Sequence, residues 1–207
     1  MTRHSWLALS RWAQIPLMAA TIFLAGGAVA HAVSDKPWAI DQILGQPSAP
    51  ITIIEYASLT CPHCAVFEHD VIPKLKTEWI DTGKARLIFR DFPLDAGAQA
   101  AAMIAHCSKT RYFAFLDLFF ASHSEWARAD SPLAALKKVA LLGGMTSDDV
   151  DACIADDSLL DQINQRRADA ETLYGIQSTP TFVINGKVFV GEKSYDEFAK
   201  LLRDVKH

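Results

Sequence analysis

Residues 51–68 read ITIIEYASLTCPHCAVFE, and the fold turns on them. Ile51 to Tyr56 is a β-branched, nearly continuous apolar run. Such a run fits a strand buried on both faces, as in a parallel sheet. Cys61 and Cys64 follow, with only Pro62 and His63 between them. Proline is tolerated in a first helical turn, so a helix is expected to open near Pro62, with Thr60 placed to cap it. Phe67, Val71, Leu75 and Trp79 recur at helical spacing, and Pro73 is expected to kink that helix. Asp81-Thr82-Gly83 closes it, and Ala85 to Phe89 reads as a second strand. Strand, long helix, strand is a crossover unit, which makes the two strands parallel.

Working outward, the pattern changes at about residue 95. From there to about 176 no strand signal appears, and five stretches carry helical patterning, beginning with AGAQAAAMIAHC at 96–107. Ser131 and Thr146 stand where N-caps stand, and Gly143-Gly144 where a helix ends. Tyr112, Phe113, Phe115, Phe119 and Phe120 read as core. Strands return at 181–184 and 187–190, joined by Asn185-Gly186, a dipeptide that accepts the positive φ angles of a type I′ hairpin turn. Residues 194–205 close the chain as a helix. Residues 33–50 read as an irregular lead-in. The expected class is α/β: βαβ, a helical insertion, then ββα.

The 207 residues, half of them hydrophobic, suit one compact domain at 31–207. A formal net charge of −4 and the lack of a Lys/Arg run argue against a nucleic-acid partner. Residues 1–30 differ. Arg3 and Arg11 precede an apolar stretch, Ile15 to Ala30, that ends in small residues around Ala28-Val29-Ala30. This is the layout of a cleavable secretory signal peptide. A retained membrane anchor is the alternative, but the stretch is short for a span and holds Pro16, Gly26 and Gly27.

Export to an oxidising compartment would let disulfides persist among Cys61, Cys64, Cys107 and Cys153. Spacing pairs Cys61 with Cys64 and Cys107 with Cys153. The second pair is expected to be a structural disulfide within the helical insertion; two buried free thiols are the alternative. A zinc site lacks the second close pair it usually needs, so no metal or other cofactor is expected. A purely structural Cys61–Cys64 bridge would close too small a loop to add much stability. A redox pair remains. At a helix N-terminus unpaired N–H groups and the helix dipole favour a Cys61 thiolate, and a protonated His63 nearby would favour it further. Cys64, one turn in, is expected to be more buried and to resolve mixed disulfides formed by Cys61. Glu55, a carboxyl inside an apolar strand, is a candidate proton carrier if it is buried, and an ordinary surface acid otherwise. Glu68, just after Cys64, is a candidate modulator of the same field, and a plain helix-surface acid otherwise.

The stretch EYASLTCPHCAVFE, the Ser178-Thr179-Pro180-Thr181-Phe182 segment and the place and size of the helical insertion together resemble the DsbA-like thiol–disulfide oxidoreductase family, which has a thioredoxin fold. That resemblance covers nearly all of the chain after residue 30. It implies a cis peptide before Pro180, which would lie against Cys61, with Thr179 offering backbone groups to a substrate strand. It further implies a strongly oxidising CPHC motif and a buried-acid role for Glu55. Cys107 and Cys153 lie outside the minimal family pattern. The expected function is a periplasmic oxidase that donates the Cys61–Cys64 disulfide to reduced or partly folded exported proteins and is regenerated by a membrane-bound redox partner. A disulfide isomerase or reductase on the same fold is a second reading. Residues 33–50 are short for the dimerisation segment of related isomerases, so a monomeric oxidase is favoured. A peptide-binding chaperone or assembly module is a third.

Overall fold

The structure, a computed structural model, describes residues 40–205; the expected signal peptide at 1–30 and the domain boundary at 31 lie outside the described residues. The central sheet has five strands in the order β1-β3-β2-β4-β5. These are β1 (Gln42–Leu44), β2 (Ile51–Ala57), β3 (Ala85–Asp91), β4 (Thr181–Ile184) and β5 (Lys187–Val190). Strands β2 and β3 run parallel, joined by the crossover expected from their spacing. The other three pairings are antiparallel. Strand β1 falls inside the stretch read as an irregular lead-in. Three residues are too few to show a period, and Gln42–Leu44 becomes a strand because β3 offers it an edge.

The crossover consists of α1 (Pro62–Asp70), α2 (Ile72–Leu75) and one wide π turn, Lys76–Ile80. The break falls at Val71, two residues before Pro73, where φ widens to −109°. Proline shapes the residue that precedes it and removes one main-chain donor, so the helix yields just upstream of it. Pro62 occupies the first turn of α1 as expected. Thr60 does not cap. Cys61 is the N-cap residue, and no side chain caps the helix. The Thr60 hydroxyl donates instead to Asp95 Oδ2 at 2.7 Å.

The helical insertion comprises α3 (Ala96–Cys107), α4 (Tyr112–Ala121), α5 (His123–Trp126), α6 (Pro132–Leu142), α7 (Ser147–Ile154) and α8 (Asp157–Tyr174). Thr146 and Asp149 form a reciprocal capping box at α7, whereas Ser131 precedes α6 without a side-chain cap. The last helix, α9 (Tyr195–Asp204), starts with a second capping box, Ser194 with Glu197. Asn185 and Gly186 take the positive φ angles, 45° and 82°, that the β4–β5 turn requires.

Alternation along β2 sorts its side chains between two faces. Ile51 and Ile53 pack under α1 and α9, where Phe67, Phe182 and Phe198 form a ring cluster with centroids 4.6–5.2 Å apart. Ile54 and Tyr56 face the other way, with Ile176 and Ala170 of the α8 region. A third cluster fills the insertion and reaches Ala57, Leu59, Cys61 and Cys64. The CPHC turn therefore lies where the sheet and the helical insertion meet.

A polar network joins these layers. Arg90 lies fully buried beside Asp41, with Nη2–Oδ2 at 2.9 Å, and donates to the Tyr56 hydroxyl at 2.8 Å. Arg166 of α8 approaches the same Asp41 at 3.4 Å. Next to them, Asp91 accepts from His106 of α3 at 2.8 Å. Buried charges persist when they are paired in this way. Here the pairing ties β3 to α3, to α8 and to the residue before β1.

Candidate active site

Cys61 ends the loop that follows β2, and its side chain is 5% exposed; Cys64, one turn into α1, is 0% exposed. Both are free thiols. The small difference in exposure leaves the Cys61 sulfur the more accessible of the two. Chemistry separates the two further. The Cys61 thiol is pulled down to about 5, first by the Cys64 thiol, which donates to its sulfur. Burial opposes this, while Thr179 and the main-chain N–H groups of Cys64 and His63 add to it. The Thr179 hydroxyl oxygen is buried and has no hydrogen-bond partner among the described residues. In the neutral form, Cys61 Sγ donates to the Thr179 carbonyl at 3.5 Å. Cys64 is displaced the other way, far above the ordinary thiol range, by burial and then by Cys61 and the charge of Glu55.

The Thr179–Pro180 peptide is cis. It places the Thr179 carbonyl at Cys61 and the Pro180 carbonyl at Gly191, whose N–H donates to it at 2.9 Å. His63 sits on the exposed side of the turn. Its Nδ1 meets Glu192 Oε2 at 2.8 Å, and its main-chain N–H supports the Cys61 sulfur. Nothing local in the sequence announces Glu192, which lies 129 positions away.

Glu55 is fully buried on the α1 face of β2, between Phe89 of β3 and Phe182 of β4 in register. Neither carboxylate oxygen has a hydrogen-bond partner among the described residues. Burial, then the charges of Glu68 and Cys61, hold its pKa well above the usual carboxylate range. These surroundings favour the neutral carboxyl over the charged one. Glu68 is itself raised to about 8, by burial and by Asp117. With Asp117 it lines a cavity of about 110 Å³ beside Phe89 and Ile72.

Cys107 at the end of α3 and Cys153 in α7 are joined by a disulfide that closes a 46-residue separation. Among the described residues no group of three or more His, Cys, Asp or Glu is placed to hold a metal ion.

The sequence pattern described as Thioredoxin matches residues 40–204. Among solved structures, alpha-DsbA1 of Wolbachia pipientis is 36% identical, with a TM-score of 0.77 over 82% of this chain and 92% of that one. The chain belongs to the DsbA-like thiol:disulfide oxidoreductase family. A protein of Rickettsia bellii described as a putative protein-disulfide oxidoreductase is 28% identical over 70% of this chain and 57% of its own length. The disulfide bond formation protein D of Bacillus subtilis is 25% identical over 83% of this chain and 80% of its own. The chain spans somewhat over half the length of the rickettsial relatives it matches. Membership gives the thioredoxin-like fold with its helical insertion, and it fits a cysteine pair set at a helix N-terminus against a cis-proline loop.

Proposed function

We propose that this protein is an envelope thiol:disulfide oxidase that donates the Cys61–Cys64 disulfide to reduced exported proteins. The opposed environments of the two thiols carry the reading. A substrate thiolate attacks the more accessible sulfur, Cys61. The Cys61–Cys64 bond breaks, and Cys64 leaves as a thiolate that takes a proton, for which Glu55 is the nearby buried acid. The second substrate thiolate then attacks the substrate sulfur of the mixed disulfide. Cys61 departs as a thiolate, and the substrate keeps the new disulfide. Two electrons reach the cysteine pair. A leaving thiol held near 5 departs readily, which favours collapse toward substrate disulfide. The Thr179 main chain beside Pro180 would align the substrate strand, and the Cys107–Cys153 bond would brace the insertion.

On this reading residues 1–30 direct export and are removed, residues 31–207 form one domain in the periplasm, and a membrane-bound partner restores the disulfide. The names of the Bacillus and rickettsial relatives support the chemistry, and the apolar run at 15–30 supports export.

Equilibration of the Cys61–Cys64 couple with glutathione tests the direction. A potential near about −120 mV marks a disulfide donor. A potential near about −270 mV, roughly 7 kcal/mol away on the two-electron scale, marks a reductant and overturns the proposal. Repair of a scrambled substrate by a stable dimer in sedimentation would turn it toward an isomerase.

A further inference from the structure

The bridge between His63 and Glu192 closes a ring around the exchanging thiol. Starting at Cys61, the ring runs through the CPH turn to His63, across to Glu192, and back through Gly191 and Pro180 to the Thr179 carbonyl. Each joint is a short polar contact: 2.8 Å at His63–Glu192, 2.9 Å at Gly191–Pro180 and 3.5 Å at Thr179–Cys61. The segment that carries Glu192 is fixed on both sides. Gly191 takes φ +85°, a turn that a residue with Cβ rarely adopts. The Lys193 ammonium folds back onto the Val190 carbonyl at 2.7 Å, and Ser194 is locked into the cap of α9. Glu192 is thus presented to the CPHC turn by the short connection between β5 and α9.

We propose that Glu192 is a positioning residue for the redox pair: it holds the His63 ring off the Cys61 sulfur and so restrains the oxidising power of the site. The inference rests on Cys61 being the exchanging thiol. A histidine inside a CPHC turn sits close enough to supply positive charge to a neighbouring thiolate. In this protein its Nδ1 meets a carboxylate, and the thiolate is favoured by the Cys64 thiol, by Thr179 and by the main-chain N–H groups of Cys64 and His63. Removing the carboxylate leaves the ring free to turn toward sulfur.

The test is Glu192→Ala in the full chain, alone and combined with His63→Ala. Thiolate absorbance is followed across the acid range, and the glutathione equilibrium is measured with each protein. The expected result is a two- to tenfold rise in the thiolate-to-thiol ratio near pH 5, roughly 0.3–1 pH unit. The glutathione equilibrium should move toward the dithiol by a similar factor. In the His63→Ala background the Glu192 substitution should change neither. An unchanged or raised titration in the single variant overturns the proposal. So does an equal shift without His63, since Glu192 would then act by its own charge and not through the ring. All readouts are differences from the parent protein, so they stand whether the parent couple proves oxidising or reducing.

Discussion

The two cysteine pairs of this protein occupy opposite kinds of surroundings. Cys61 and Cys64 share one helical turn, and their environments push the two thiols apart, one down to about 5 and the other far up. Cys107 and Cys153 belong to two helices of the insertion, 46 positions apart, and are already bonded. Closing the Cys61–Cys64 loop removes little chain entropy, while closing the long one removes much more. The lesson is that a bond within the near pair adds little as a brace, whereas one across the far pair adds much. Asymmetry of environment, which only the fold provides, sets the two thiols of the near pair apart.

The sharpest way to break this comparison is to remove one sulfur from the near pair. Cys61→Ser should lower exchange by at least about a thousandfold, some 4 kcal/mol on the barrier. The check is the rate of disulfide transfer to a reduced substrate; substantial residual transfer would point to Cys64 or the far pair as the nucleophile. Cys64→Ser should instead accumulate a mixed disulfide through Cys61, visible by mass. Removing the far pair asks the converse question. Cys107→Ala with Cys153→Ala should lower the stability of the oxidised protein by about 2–4 kcal/mol, the upper figure being the chain-entropy value for such a loop. The glutathione equilibrium of Cys61–Cys64 should not move. A shifted equilibrium would mean that the two pairs are coupled.

A smaller effect is confined to the reduced near pair. Cys61 titrates lower when folded than a free thiol at about 8.5, so its thiolate contributes stability that is complete above that value. The contribution declines as pH falls and is lost on passing through about 5. Between pH 7 and pH 5 the reduced protein should lose roughly 2 kcal/mol, after discounting for water at the mouth of the site. The oxidised protein has no thiolate and should lack this slope. Denaturant melts of both forms at the two pH values check it; parallel slopes would remove Cys61 as the cause.

Much of this was legible in the sequence, for reasons that can be named. Ile51 to Tyr56 shows a buried strand because its apolar run is unbroken by turns, and Asn185-Gly186 shows a hairpin because few residues accept its angles. Cys61 and Cys64 show themselves by spacing, and Glu55 by being a charge where apolar side chains belong. What escaped depends on partners far along the chain. Thr60 looks like a cap until Asp95, 35 positions away, accepts its hydroxyl. His63 is read against Cys61 alone, and nothing local announces Glu192, 129 positions away, at its ring. Nothing in the sequence marks Arg90, Asp41 and Arg166, and only assembled layers bury them together. Strand β1 exists because β3 has an open edge.

Glu55 and Asp41 extend the comparison to carboxylates. Both are buried, but Asp41 is met by Arg90 and Arg166, whereas neither oxygen of Glu55 has a hydrogen-bond partner among the described residues. A paired buried acid serves the fold; an unpaired one costs stability, and its surroundings favour its neutral form. The sign follows from the raised pKa of Glu55. Its neutral form fits the apolar site, so its contribution is complete below the usual carboxylate range. That contribution is lost as pH rises through its elevated folded value. Glu55→Gln cannot ionise, so its stability advantage over the parent should be small at pH 4 and grow to about 1–2 kcal/mol by pH 8. The same variant should slow the step in which Cys64 gains or gives up its proton. Denaturant melts across that range read the first effect, and trapping of the mixed disulfide reads the second. A variant that gains stability with pH but resolves mixed disulfides at the parent rate would leave Glu55 a buried acid without a part in exchange. Loss of both effects would put an unrecognised partner beside its carboxyl.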